Sequence, residues 1–111
     1  MSDLVKEITN IQTFELLEER LGIRISGIYA VLTGSDDYYV TITAEIMALN
    51  GGEVEQNFKI QIVANDSAGN VVGAEQAMFL QENFFGLRML KQIFQVYTTD
   101  IQTIKVFPVM W

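Results

Sequence analysis

The chain has 111 residues, half of them hydrophobic, with 14 acidic against 7 basic side chains and a net charge of −7. That length fits one domain with enough apolar mass for a packed core. The absence of Cys and His removes disulfides, thiolate nucleophiles, imidazole bases and zinc-thiolate sites. The acidity argues against nucleic acid, whose phosphates need clustered Lys and Arg, and offers no basic face to an anionic membrane.

Met1-Ser2-Asp3-Leu4 lacks the basic start and apolar run of a signal peptide. No apolar stretch reaches the roughly 18–20 residues of a membrane helix. A cytoplasmic protein is the expectation. Residues 1–22 read as an N-terminal helical leader. Phe14, Leu17 and Leu21 share a helical stripe, with Glu15, Glu18, Glu19 and Arg20 on the other side. Thr13 suits the start of that helix and Gly22 its end, which places it over about residues 13–21. Leu4, Ile8 and Ile11 fit either the same helix or a separate extended arm, and Thr9-Asn10 favours a break.

A β domain is expected from 23 to 111. In the strand 23–33, Ile23, Ile25, Tyr29 and Val31 fall on one face, while Ile28, Ala30 and Leu32 load the other. Apolar residues on both faces imply that one face is covered by something further, the N-terminal helix or a partner. After the turn Gly34-Ser35-Asp36-Asp37, Tyr38 to Leu49 alternates strictly, with Val40, Ile42, Ala44 and Ile46 on one face. Asn50-Gly51 predicts a tight hairpin that joins 38–49 antiparallel to 54–64. Val54, Phe58, Ile60, Ile62 and Ala64 then alternate with polar residues. The loop Asn65–Asn70 leads into a strand from Val71 to Phe79.

From Phe84 to Tyr97 a helical stripe competes with a strand buried on both faces, and Gly86 favours the strand. Ile101 to Val109 forms the last strand, with Ile104, Val106 and Pro108 on one face. The single proline needs a strand end or edge, since it cannot donate to a ladder. Six to seven strands joined by short turns, without βαβ alternation, predict two antiparallel sheets packed face to face. The fold class is therefore mainly β, a two-sheet sandwich with a short N-terminal helix.

The run Phe58-Lys59-Ile60-Gln61-Ile62-Val63-Ala64-Asn65-Asp66-Ser67-Ala68-Gly69-Asn70-Val71-Val72-Gly73 resembles the central hairpin of small bacterial immunoglobulin-like or fibronectin-III-like domains. In those domains an alternating strand enters a Tyr-Asp-x-x-Gly-type turn and leaves through Val/Ile-Gly; here Asn65-Asp66 stands in place of Tyr-Asp. Ile104-Lys105-Val106-Phe107-Pro108 looks like a last sandwich strand. The resemblance implies an immunoglobulin-like sandwich that serves as a binding, spacer or assembly module.

Candidate chemistry is sparse. Asp36, Asp37, Tyr38 and Tyr39 form a candidate ligand loop, for a cation or a carbohydrate, though Asp is expected in turns for backbone reasons alone. Asn65-x-Ser67-x-Gly69 has part of a calcium loop's spacing but no bidentate Glu follows it. Glu45 and Glu75 are the acids left for an enzyme in a β cavity. No cofactor, no metal and no catalytic role are expected. The apolar surplus is the stronger signal: Phe84, Phe85, Met89, Phe107, Met110 and Trp111 crowd the C-terminal third. They are the candidate interface for a protein partner or for a homo-oligomer.

Overall fold

Strict alternation places the two central strands. In the computed structural model, which describes residues 3–49 and 52–111, strand β4 (Tyr38–Ala48) buries Val40, Ile42, Ala44 and Ile46, and strand β5 (Phe58–Asn65) buries Phe58, Ile60, Ile62 and Ala64. Each strand has one apolar row, so each must lie in a sheet whose apolar side faces the other. The remaining strands are β1 (Leu4–Ile8), β2 (Ile11–Thr13), β3 (Ile23–Gly34), β6 (Val71–Phe79), β7 (Leu87–Val96) and β8 (Thr103–Met110). One four-stranded sheet, sheet A, runs β1-β3-β4-β7; the other, sheet B, runs β2-β8-β5-β6. A helix, α1 (Glu15–Leu21), and a single 3-10 turn at Gln81–Asn83 complete the described elements.

Several expectations need correction. The hairpin between 38–49 and 54–64 does not form: β4 pairs with β3 and β7, and β5 with β6 and β8. Asn50 and Gly51 themselves lie outside the described residues. The burial demand of the two strands overrides the local turn signal. Pairing them side by side would put both apolar rows on one sheet, whereas facing them across the core buries each against the other. The sandwich has eight strands, more than expected, and is not wholly antiparallel, since β2 runs parallel to β8.

The leader is helical only over Glu15–Leu21; before that it is extended. It gives β1 to sheet A and crosses at Thr9-Asn10, where the Ile104 N–H donates to the Asn10 carbonyl at 3.0 Å. Thr13 belongs to β2, and Phe14, without a side-chain cap, stands at the helix start. Gly22 does end the helix, at φ 71, where its N–H meets the Glu18 and Glu19 carbonyls. The helix is pinned through its buried Glu18, whose Oε1 accepts the Ile25 N–H at 2.8 Å.

Phase in β3 changes at a bulge between Ser26 and Tyr29, with Gly27 at φ 61. Ile23 and Ile25 face the core before the bulge, Ala30 and Leu32 after it. Tyr29 and Val31 are thereby turned outward, not inward with Ile25 as simple alternation predicts. Within residues 84–97 the chain is a strand over Leu87–Val96, entered through a bend at Gly86 with φ 90. Pro108 is buried opposite Ile60, past the point where β2 stops pairing at Val106, so its missing N–H breaks no ladder.

One end of the core is closed by aromatic rings. Phe58 stacks on Phe79 at 5.3 Å, and Phe84 meets Phe58 at 5.9 Å and Phe79 at 6.4 Å. At the open side of the sandwich β6 lies over β7. Gly73 permits the approach: a Cβ there would come within 2.8 Å of a Val96 methyl and 2.9 Å of the Phe94 ring.

Candidate functional site

The candidate interface residues separate into three places. Phe84 is 3% exposed and belongs to the core, which removes it from any interface. Its ring completes the Phe58–Phe79 cluster, and that burial is the reason. Phe85, the next residue, is 84% exposed, and Met89 on β7 is 62% exposed. Phe107, Met110 and Trp111 lie with sheet B. Phe107 is half-buried under α1, edge-on to Phe14 at 5.5 Å. Trp111 is more than half exposed, with the Lys59 ammonium 5.9 Å from its ring.

Register shows what surrounds Met89. It stands opposite Glu45 on β4, and its outward neighbours on β7 are Leu87, Lys91 and Ile93. Leu87 faces Met47, Lys91 faces Thr43 and Ile93 faces Thr41. One strand further on, Thr43 faces Tyr29 and Tyr39 faces Thr33. The outer face of sheet A thus carries Tyr29, Tyr39, Met47, Leu87, Met89 and Ile93, interspersed with threonines and with the charged Arg24, Glu45 and Lys91. All six side chains are exposed, Ile93 at 55%. Half-exposed side chains of this size amount to roughly several hundred Å² of apolar surface, the upper range for a monomer. Tyr29, Met47, Leu87 and Ile93 were not singled out from sequence, and Tyr39 only as part of the candidate ligand loop. Their signal was there, in the apolar residues on both faces of 23–33 and 84–97.

Charge on this face is nearly balanced, with Glu7 and Glu45 against Arg24 and Lys91. Six of the seven cations lie in strands, and eleven of the fourteen acids lie in the helix, turns and connections. The −7 is therefore carried mainly by the ends of the sandwich, and β7 holds Arg88 and Lys91 without an acid.

The candidate ligand loop is less concentrated. Asp36 and Asp37 are exposed in the β3–β4 turn. Tyr38 and Tyr39 are successive residues of β4 and point to opposite faces, so they make no common platform. In the Asn65–Asn70 loop Asp66 is spent on its own backbone, with Oδ1 accepting the Ala68 and Asn70 N–H groups at 3.0 and 2.8 Å. Asp100 holds that loop through the Ser67 hydroxyl at 2.6 Å and the Ser67 N–H at 3.2 Å. Those two bonds, the hydroxyl first, keep its carboxyl below the usual 3.8. Glu45 lies on the outer face of sheet A, and Glu75 sits on β6 with Oε1 on the Gln76 N–H; the two are in different sheets. Among the described residues no group of three or more acids is placed to hold a metal ion.

Of the surface grooves among the described residues, two lie beside the candidate interface residues. One, of about 600 Å³, lies between Gly52–Val54 and Gln81–Phe85 and is open, with Glu53 and Glu82 on its wall. The other, of about 410 Å³, lies between Leu17, Arg20 and Leu21 of α1 and the Phe107–Met110 end of β8. Neither joins a nucleophile to a base. No described helix is long and apolar enough to cross a membrane. Comparison of the chain with protein-family models, with curated proteins and with solved structures finds no significant match.

Proposed function

We propose that this chain is a non-catalytic interaction and assembly module, an immunoglobulin-like sandwich that joins protein chains, its own copies first, through the outer face of sheet A. The carrying observation is that face: Met89 and Ile93, exposed on an edge strand, share it with Tyr29, Tyr39 and Met47, and no element among the described residues covers it. A core needs only the inward rows, so this outward row is free for a partner.

The fold assignment has its own support. The order β3-β4-β7 against β8-β5 matches strands A-B-E against F-C of the immunoglobulin arrangement, with β6 beside β5 in the place of C′. The antibody hallmarks are missing: there is no Cys, and the only Trp is residue 111. In this reading β2 stands where the last strand would be, and runs parallel instead.

The test is mass in solution, by light scattering on a size-exclusion column over a dilution series. The reading expects a dimer or larger species that becomes monomeric in the Met89→Asp, Ile93→Asp double variant, with an unchanged circular dichroism spectrum. A wild-type monomer at every concentration, or association that survives both substitutions, contradicts it.

A further inference from the structure

Four strands form the edges of the two sheets, and three of them are blunted. β2 has three residues, and β1 has five with Lys6 in the same phase as the core residue Ile8. β6 carries Glu75 in the phase of its core residues Ala77 and Phe79. A short strand or an inward-phased charge discourages pairing with another chain. β7 is long, and its one inward-phased charge, Arg88, is confined to its start, where the guanidinium lies 5.8 Å from the Phe79 ring; from Met89 to Val96 the inward phase carries no charge. The strand runs ten residues without a proline, and it pairs with β4 throughout without a bulge. Among the described residues no backbone hydrogen bond ties it to anything except β4 and the residues of its own turn.

We infer that β7 is the docking edge for a second copy of this chain, and that two β7 strands pair antiparallel about a two-fold axis at Ile93. The inference rests on the assembly reading above, places its contact at the β7 margin of that face, so that the two outer faces join into one, and names its partner and register. The register follows from charge. For the outer faces to run on, residues of the same phase must oppose. Four such registers pair at least seven residues of each β7, centred on residues 90, 91, 92 and 93. A centre at Lys91 sets the two lysines directly opposite, and centres at Leu90 or Gln92 make them diagonal neighbours about 7–8 Å apart, where like charges repel. Only the centre at Ile93 separates them, by about 13 Å at strand rise, more than a Debye length at physiological salt. That register opposes Ile93 to Ile93, Lys91 to Gln95 and Met89 to Tyr97, and Leu90 to Val96 on the inner side. It also brings Arg88 of each copy opposite Thr98 of the other, at the end where Asp37 and Asp100 lie. Head-on stacking would instead press the acidic ends together.

The chain has no Cys, so single cysteines report the register without background. Paired strands bring opposed Cα atoms to about 4.5–5.5 Å, within disulfide reach. Under mild oxidation Ile93→Cys is expected to cross-link to itself. Lys91→Cys and Gln95→Cys are expected to cross-link when mixed and not when alone. Val5→Cys, equally open on the opposite edge of sheet A, is expected to stay single. If association is lost in the double Asp variant but Lys91→Cys and Gln95→Cys do not join, this register falls and the assembly reading stands. If the protein is monomeric at every concentration and nothing cross-links, both fall together.

Discussion

The outer faces of the two sheets have the same alternation beneath them and opposite character on top. Sheet B turns Lys59, Gln61, Gln76 and Lys105 outward, and α1 covers part of it through Phe14 and Phe107. Met78, Val109 and Trp111 are exposed there as a smaller group around Lys59. Sheet A turns Tyr29, Tyr39, Met47, Leu87, Met89 and Ile93 outward, and among the described residues no helix lies above them. Both inner rows are equally apolar, so stability does not explain the contrast. The face that has its own cover reads as finished, and the uncovered face reads as one that awaits another chain.

The largest expected effect strikes both faces alike. Phe58 is fully buried and touches Phe79 and Phe84. Phe58→Ala should cost about 3–5 kcal/mol in denaturant unfolding, and association should be lost with the fold. A loss under about 1 kcal/mol would show that the aromatic cluster does not close the core.

Gly73→Ala sharpens the comparison at the corner where the sheets meet. Its new Cβ would lie 2.8 Å from Val96 and 2.9 Å from Phe94, so β6 must back away from β7 at about 1–3 kcal/mol. Glu18→Ala acts on the cover of sheet B. It leaves the buried Ile25 N–H without its 2.8 Å acceptor and should cost about 1–3 kcal/mol, with early loss of helical signal on warming. Association through sheet A should survive it wherever the protein remains folded. Dimer loss in folded Glu18→Ala would place the interface on the wrong face.

The smallest effect belongs to Asp100. Its carboxyl is held low by the Ser67 hydroxyl and then the Ser67 N–H, so the tie is present above pH 3.8 and is lost as pH falls through the lowered value. The Ser67 amide should exchange faster below that point in wild type and at every pH in Asp100→Asn. Equal Ser67 exchange in wild type and variant at neutral pH would show that the tie does not form in solution.

Much of this was legible in the sequence, and the failures have physical causes. The rows Val40–Ala48, Phe58–Ala64 and Ile104–Pro108 were readable because one-face alternation is a local property. Thr9-Asn10 was readable as a break, and Gly22 as a helix end. The pairing of β4 was not, because Asn50-Gly51 is a strong local cue, while the choice between neighbours in a sheet and facing strands is made by the whole core. The bulge at Gly27 hid Tyr29 by changing the phase of β3. Phe84 and Phe85 are adjacent and chemically identical; only the fold could send one to the core and the other to solvent. Met89 was found at the candidate surface, but its company on β4 and β3 depends on register, which a single strand does not encode.

The most direct measurement is amide hydrogen exchange on β7 and β6 in the same sample, first concentrated and then dilute. The two strands are edges of similar length in opposite sheets, so each is the other's control. The account predicts that β7 amides around Ile93 are protected in the concentrated sample and lose that protection on dilution, while β6 amides do not change. Exchange on β7 that is independent of concentration, or protection that appears on β6 instead, would contradict it.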